Sequence, residues 1–320
     1  MTSEFNKAIL IFSTLRDFST LEVIKWLKFK KRKYYLITCF DDFNKYQIIL
    51  NQEFMNNNIS KVWYRKLNLD LSTLDSQGHA FDVSSINFLN TEYLYFYHAT
   101  ESFLSNIKSL GGGFKTMDLN KIEVLIQAKK IGLNIPNYLL CCNKTEVVEF
   151  AKQKKIITKP IFNAAPIQFL DKSVGYMYTS IINESIIEQL PETFFPTLFQ
   201  NKIAKEIEIR SFFLDNKFYS MAIFSQEDDT TNVDFRRYNN SKKNRMVPFK
   251  LPKEVENMLK KLFLSLGIDT GSADIIKATN GDYVFLEINP SGQYGFVSFC
   301  CNYQLDKEVA KYLIKLNHGN

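Results

Sequence analysis

Residues 272–289 read SADIIKATNGDYVFLEIN, and this stretch is the most informative feature of the chain. The Asn280-Gly281 dipeptide at the centre is the strongest short signal for a tight β-hairpin turn. A two-residue turn fixes which residues of the two strands face each other. Counting outwards from the turn places Asp274 directly opposite Glu287. Asn289 follows two residues later, so it is predicted on the same face as Glu287.

The paired carboxylates predict a metal site. Two carboxylates directly opposite each other on a sheet repel and destabilise it. A magnesium ion removes that penalty, because it prefers oxygen ligands and completes its coordination with substrate phosphates. The predicted buried face of the second strand is apolar: Val284, Leu286 and Ile288. The sequence therefore predicts Asp274, Glu287 and Asn289 as magnesium ligands, with a chance pair separated by a Lys or Arg as the alternative.

The composition indicates a globular protein of two or three subdomains. Of 320 residues, 45% are hydrophobic and 23% are charged, which is typical of such proteins. No apolar run reaches the roughly 18 residues that span a membrane. The run Ala8–Phe12 is too short for a signal peptide, so we expect a cytoplasmic protein with no membrane partner.

The cysteine spacing argues against a zinc site, whereas the net charge alone decides nothing. The pairs Cys141-Cys142 and Cys300-Cys301, with only three histidines and no CxxC spacing, favour free thiols over a zinc site. The net charge of +6 suits a protein that binds phosphates or an acidic substrate. No arginine-rich helix or nucleic-acid-binding module is visible, so we expect no nucleic-acid partner.

Periodicity and turn signals predict a mixed α/β (α+β) chain in three parts, with boundaries at 1–112, 113–195 and 196–320. The first part begins with a βαβ unit and ends at Gly111-Gly112-Gly113. Its predicted elements are strand Ala8–Ser13, a helix capped by Ser19 and Glu22 that ends at Phe29, and strands Tyr34–Phe40, Lys61–Arg65 and Tyr93–Tyr97. The other two parts are predicted to contain helices Lys121–Ile131, Pro252–Leu266 and Asp306–Leu316, strand Lys155–Lys159, a hairpin over Ile167–Ile182, and two strands over Glu208–Ser225 that turn at Asp215-Asn216.

Four cations stand where an anion would suit them. Lys121 lies in the first turn of a helix capped by Asn120, where a cation opposes the helix dipole unless phosphate binds there. Lys159 ends an apolar strand before a proline, so it is predicted to project into a cleft. Arg210 and Arg236 suit bidentate contact with phosphate or carboxylate. Taken singly, each also fits an ordinary surface cation or ion pair.

In this order, these residues resemble the ATP-grasp superfamily over nearly the whole chain. The most specific motif is Phe285–Pro290, FLEINP. Within the superfamily, the chain is most similar to the maturases of graspetides, of the microviridin type. The stretches that carry this likeness are LNKIEVL at 119–125, ITKP at 157–160, FYSMAIFSQ at 218–226, VDFRRYN at 233–239 and NPSGQYG at 289–295.

The resemblance implies an ATP-grasp fold behind an N-terminal βαβ domain, with ATP and Mg²⁺ as cofactors. It implies a ligase that forms side-chain esters or amides in a precursor peptide, with a leader and an acidic core, and a homodimer. Lys121 and Lys159 would bind phosphates, Gln200 and Ile203 adenine, and Glu208 the ribose. Arg210 and Arg236 would be catalytic. Contacts with the peptide are expected from Asp234, Arg237 and Arg245, although these also fit a solvated loop.

One departure from the family pattern concerns the phosphate lid. Many ATP-grasp proteins close a glycine-rich loop over the phosphates, whereas residues 162–173 contain no glycine. We therefore expect a lid of another design, or a hairpin that docks peptide. Two other functions remain open from sequence: a ligase that joins a free amino acid or small amine to a carboxylate, and a nucleotide-binding scaffold without catalysis.

Overall fold

The computed structural model describes residues 7–38, 49–66, 82–113, 116, 119–162, 166–168, 173–176, 178–224 and 244–315. Within these ranges the chain forms three main sheets flanked by helices. The strands are β1 (Ala8–Phe12), β2 (Tyr34–Ile37), β3 (Ile59–Tyr64), β4 (Ser109–Leu110), β5 (Tyr138–Asn143), β6 (Ile156–Thr158), β7 (Pro166–Gln168), β8 (Val174–Tyr176), β9 (Ser180–Ile182), β10 (Thr193–Asn201), β11 (Lys205–Leu214), β12 (Lys217–Phe224), β13 (Arg245–Phe249), β14 (Thr270–Ala278) and β15 (Tyr283–Asn289). The helices are α1 (Phe18–Phe29), α2 (Gln52–Asn58), α3 (Val83–Phe103), α4 (Lys121–Ile131), α5 (Lys144–Ala151), α6 (Glu184–Gln189), α7 (Lys253–Ser265), α8 (Gly295–Cys301) and α9 (Leu305–Ile314).

The N-terminal sheet is parallel, in the order β2-β1-β3-β4. The predicted βαβ unit is confirmed, but its helix begins earlier than expected. Asp17, not Ser19, is the N-cap of α1, since its side chain accepts a hydrogen bond from the Thr20 N–H. An aspartate at this position satisfies one of the N–H groups that the first turn leaves without a helical partner.

The predicted strand Tyr93–Tyr97 is wrong, because these residues lie inside helix α3. The alternation Tyr-Leu-Tyr-Phe-Tyr suggests a strand, but Tyr93, Phe96 and Tyr97 also have the spacing of one helix face. Tyr97 is completely buried and packs edge-on against Phe12, 6.3 Å between ring centres. Tyr95 is 69% exposed. Burial of Tyr93, Phe96 and Tyr97 on one face of the helix thus outweighs the preference of aromatic residues for strands.

The central sheet has the order β5-β10-β6-β9, with antiparallel neighbours. Helices α5 and α6 cover one face, where Val147 and Ile187 pack against Ile156 and Phe199. The predicted break between residues 195 and 196 falls inside β10 of this sheet.

The C-terminal sheet is antiparallel, in the order β13-β12-β11-β14-β15. The predicted turn between β11 and β12 is confirmed: Asp215 and Asn216 have φ angles of 49° and 63°, the left-handed conformation that a type I′ hairpin requires. Helix α4 is also confirmed, with Asn120 as its N-cap and Gly132 in the left-handed conformation at its end.

The hairpin β14–β15 reaches the predicted pairing by another route. Asp274 does lie opposite Glu287, but Ile275 pairs with Phe285, so Leu286 forms a bulge between the two pairs. The connection at the tip is correspondingly longer, since the Ala278 N–H donates to the Asp282 carbonyl. The extra residue in the turn shifts the register by one, and the extra residue Leu286 in β15 shifts it back, so Asp274 still pairs with Glu287.

The bulge also changes which residues are buried. Phe285 and Ile288 pack in the same core cluster, which strict alternation along an unbroken strand does not allow. The predicted apolar face of Val284, Leu286 and Ile288 is therefore only partly correct.

The two faces of the C-terminal sheet have different neighbours. One face packs against α4 and α7 through residues such as Ile209, Phe213 and Phe263. On the other face, Phe212 and Leu214 pack against β1, α1, α8 and α9 in a cluster shared with the N-terminal sheet. The rest of that second face bears the polar side chains of the candidate site. No helix in the described part of the chain is long and apolar enough to cross a membrane.

Candidate active site

A row of charged side chains crosses three adjacent strands of the C-terminal sheet. Arg210 on β11 pairs with Asp274 on β14, and Asp274 pairs with Glu287 on β15. Arg210 Nη1 donates to Asp274 Oδ1 and Oδ2, at 2.6 and 2.5 Å. Asn289 is opposite Ser272, two pairs further along, and is exposed. The structure thus places Arg210, Asp274, Glu287 and Asn289 on neighbouring positions of one face.

Two lysines from other parts of the chain reach the same carboxylate. Lys121 at the start of α4 and Lys159 after β6 have their Nζ atoms 3.6 and 3.7 Å from Glu287 Oε2. Lys121 also donates to the carbonyl oxygens of Phe162 and Pro160, at 2.8 and 3.4 Å. Lys159, at the end of a central-sheet strand, thus contacts Glu287 of the C-terminal sheet, and the space around Lys121, Lys159 and Glu287 is called the cleft here.

The electrostatics of this cleft favour an anion. Lys159 is only 8% exposed, and burial lowers the pKa of its ammonium group, although the Glu287 carboxylate works in the opposite direction. Three cations, Lys121, Lys159 and Arg210, face the two carboxylates Asp274 and Glu287. Their excess of one positive charge, in a partly desolvated setting, suits a phosphate group.

The predicted adenine and ribose residues lie where the central sheet passes into the C-terminal one. Gln200 is in β10 and is 1% exposed, and its Nε2 is buried without a hydrogen-bond partner among the described residues. Ile203 lies in the short link from β10 to β11. Glu208 forms a close ion pair with Lys205. Lys205 was missed by sequence reasoning, and its only signal is its place three residues before Glu208.

Of the remaining predicted residues the structure describes only Arg245, and Arg245 is not part of the row. Arg245 begins β13, and its guanidinium carbon lies 5.5 Å from the centre of the Phe224 ring. Arg245 pairs with Phe224 of β12, and Phe224 is three residues beyond Met221, the partner of Arg210. The residues Asp234, Arg236 and Arg237, and most of the predicted basic loop, lie outside the described ranges. Of the hairpin predicted over Ile167–Ile182, β7 pairs with β8, whereas β9 pairs with β6.

The oxygen donors of the row fit magnesium. No group of three or more His, Cys, Asp or Glu side chains is close enough to bind a metal in the described ranges, so a site built from protein ligands alone is not formed there. Magnesium, however, is commonly held by one or two carboxylates together with water and substrate phosphates. Asp274 and Glu287, with the amide of Asn289, match that donor set.

Comparisons with known proteins identify the fold. No family model matches the chain, and no curated protein matches it. A solved structure does match: a RiPP-associated ATP-grasp ligase from Chryseobacterium gregarium, in complex with ADP and a leader and core peptide. The match covers 96% of each chain with a TM-score of 0.77 and 22% sequence identity. The chain has the ATP-grasp fold.

Two further solved structures with the ATP-grasp fold are similar. The macrocyclase MdnC from Microcystis aeruginosa MRC, bound with the precursor peptide MdnA, matches with a TM-score of 0.76 and 22% identity, over 96% of this chain and 99% of that one. The ATP-grasp ligase PsnB, complexed with minimal precursor, Mg and ADP, matches with a TM-score of 0.69 and 15% identity over 98% of each chain. The fold class predicted from the sequence is confirmed.

Proposed function

We propose that the protein is an ATP-dependent ligase that forms side-chain esters or amides in a ribosomally made precursor peptide. The observation that carries this proposal is the convergence of Lys121 and Lys159 on Glu287, beside the Asp274–Arg210 pair, in the cleft of an ATP-grasp fold. These residues come from four separate stretches of sequence, and the resemblance assigns all of them to one active site.

The nucleotide would lie between the central and C-terminal sheets. Lys121 and Lys159 both have their ammonium groups next to Glu287 Oε2. When the nucleotide binds, they would contact its outer phosphates in place of Glu287. Gln200 and the backbone of Ile203 would hold adenine, and the buried Nε2 of Gln200 is a donor available for this. Glu208 would accept a hydrogen bond from the ribose.

Magnesium would be held by Asp274, Glu287 and Asn289, and when bound it would neutralise charge on the phosphate oxygens. Asp274 would then share its charge between the ion and Arg210, which holds the carboxylate in place. Arg210 is only 7% exposed, so little water competes for its interaction with developing charge.

The reaction would proceed in two steps. An oxygen of a substrate Asp or Glu carboxylate attacks the γ-phosphorus, the bond to the β-phosphate oxygen breaks, and ADP leaves. A Ser or Thr hydroxyl, or a Lys amine, then attacks the carbonyl carbon of the acyl phosphate, loses its proton and expels phosphate. Arg210, together with Arg236, would stabilise the transferred phosphoryl group and the oxyanion of the second step.

A peptide substrate is supported by the matched ligases, whose structures contain a leader and core peptide or a precursor. Asp234, Arg237 and Arg245 would contact the peptide, the two arginines its acidic core. A cytoplasmic homodimer, with parts at 1–112, 113–195 and 196–320, belongs to the same proposal. The alternative, a ligase for a free amino acid or small amine, uses the same nucleotide residues and differs only in the acceptor.

The test is mass spectrometry of candidate precursor peptides, encoded beside the gene, after incubation with the protein, ATP and magnesium. The proposal predicts loss of one water from the peptide for each ADP formed. Asp274→Asn and Glu287→Gln should abolish that loss while the circular dichroism spectrum stays unchanged. A mass gain that matches an added amino acid or amine would favour the alternative, and ATP binding without any product would favour a scaffold.

A further inference from the structure

A buried arginine of the N-terminal unit forms hydrogen bonds with the loop that follows Asn289 of the candidate metal site. Arg65 follows β3 and is 4% exposed. Its Nη1 donates to the carbonyl oxygens of Ser291 and Gly292, at 2.8 and 2.9 Å. The guanidinium carbon lies 5.0 Å from the centre of the Tyr294 ring. One planar group therefore fixes three residues of the segment that directly follows Asn289.

A carboxylate of α1 pairs with Arg65. Its Nε donates to Asp17 Oδ2 at 3.1 Å, and Asp17 is itself buried as the N-cap of α1. Burial works to raise the pKa of Asp17, but the charge of Arg65 and the hydrogen bond from Thr20 outweigh it, and the pKa is lowered. Asp17 also has Lys66 Nζ 3.3 Å from its Oδ1, so two cations share this carboxylate. Asp17 thus holds the Arg65 guanidinium from one side while Nη1 donates to the loop.

The loop is also confined from the opposite side. A Cβ atom on Gly292 would lie 2.3 Å from Ser272 Oγ and 2.7 Å from the Ser272 backbone nitrogen. Ser272 is the strand partner of Asn289, and the Gly292 N–H donates to the Asn289 carbonyl at 3.0 Å. The turn from Asn289 to Gly292 therefore has β14 on one side and Arg65 on the other, so it cannot shift without losing one of these contacts.

We propose that Arg65 is a positioning residue that holds Asn289 in place for magnesium from outside the ATP-grasp sheets. This rests on the proposed function, because Asn289 is a metal ligand only if the cleft binds magnesium with the nucleotide. Groups that hold a metal ligand in orientation commonly contribute about tenfold to a hundredfold to metal affinity. The sequence gives no signal for Arg65, which lies more than 220 positions from the loop it holds.

The experiment measures ADP affinity by isothermal titration calorimetry, with and without magnesium, in the full chain. Arg65→Met should leave the metal-free affinity within about twofold of wild type and reduce the enhancement by magnesium about tenfold or more. Arg65→Lys keeps a cation beside Asp17 but cannot serve the carboxylate and both carbonyls together, so it should fold like wild type and still lose most of the enhancement. The matched control is Arg32→Met, which removes another 4%-exposed arginine of the same unit, one that donates to the Lys7 carbonyl; it should change neither affinity.

A second variant tests whether the effect passes through the loop. Gly292→Ala pushes the same turn away from Ser272, so it should reduce the magnesium enhancement, and adding Arg65→Met should then cause little further loss. Unchanged enhancement in Arg65→Lys would overturn the inference, as would full additivity with Gly292→Ala. If wild type itself shows no magnesium-dependent ADP binding, the proposed function fails first.

Discussion

Replacing Glu287 by glutamine should affect nucleotide binding in opposite directions with and without metal. In the structure, the Glu287 carboxylate is the shared partner of Lys121 and Lys159, at 3.6 and 3.7 Å. Both lysines must turn from Glu287 to phosphate when a nucleotide binds without magnesium. Glutamine keeps the shape of the side chain but removes the competing charge. Metal-free ADP should therefore bind more tightly to Glu287→Gln than to wild type.

The expected size follows from the two short distances. Two unit charges near 4 Å attract by about 4 kcal/mol at an effective dielectric constant of about 20. When ADP binds to wild type, the lysines lose part of their attraction to Glu287. If this loss is one third of one attraction, its absence in Glu287→Gln improves metal-free binding by about 1.4 kcal/mol, or about tenfold. With magnesium the sign reverses, because the variant has lost a carboxylate ligand.

Calorimetric titration of ADP into both proteins, with and without magnesium, checks both signs. The control is Glu206→Gln, which removes a 51%-exposed carboxylate paired with Lys277 on the same sheet; it should change neither affinity by more than about twofold. Weaker metal-free binding in Glu287→Gln, or an undiminished gain from magnesium, would refute the reasoning.

Three further predictions concern buried charges. Lys159→Met should weaken ADP binding about tenfold or more and leave the melting temperature equal or higher, because burial disfavours the Lys159 charge; thermal unfolding and titration measure this against Lys154→Met on the surface, and unchanged ADP affinity would remove Lys159 from the site. Asp274→Asn should lower the free energy of unfolding by about 1–3 kcal/mol, because Arg210 is 7% exposed and would lose its charged partner; denaturant unfolding without nucleotide measures this, and wild-type stability would contradict it. Lys61 donates to the Tyr312 carbonyl at 2.6 Å, and burial lowers its pKa to about 8. The pKa of Lys61 is lower in the folded protein than in the unfolded chain, so the buried charge destabilises the fold. This loss of stability is full below pH 8 and disappears as the pH rises towards 10.5. The stability of wild type relative to Lys61→Met should therefore rise by about 2 kcal/mol between pH 8 and 9.5, and a difference independent of pH would contradict this account.

The sequence predicted the pairing of Asp274 with Glu287 for an incomplete reason. The rule of a two-residue Asn-Gly turn led to the correct pair, but the chain uses a longer connection and a bulge at Leu286. Both features depend on how Phe285 packs into the core beneath the sheet, which local sequence signals do not report. The polar face was predictable, whereas the buried face was not.

Contacts between distant segments were out of reach in general. Lys121 was identified by the capped start of α4, and Lys159 by the apolar strand that precedes Lys159. No local signal showed that both lysines reach Glu287. Tyr93–Tyr97 was misassigned because a strand pattern and a helix pattern coincide in that stretch. Arg65 has no motif, and its role depends on the docking of the N-terminal sheet against the loop after β15.

The central claim, activation of a peptide carboxylate by ATP, is tested most directly by following one oxygen atom. A precursor peptide whose Asp and Glu carboxylates carry oxygen-18 is incubated with the protein, ATP and magnesium, and the released phosphate is examined by mass spectrometry. The account predicts one labelled oxygen in phosphate for each bond formed, because the acyl phosphate transfers its bridging oxygen when it breaks down. Bond formation with unlabelled phosphate would contradict it.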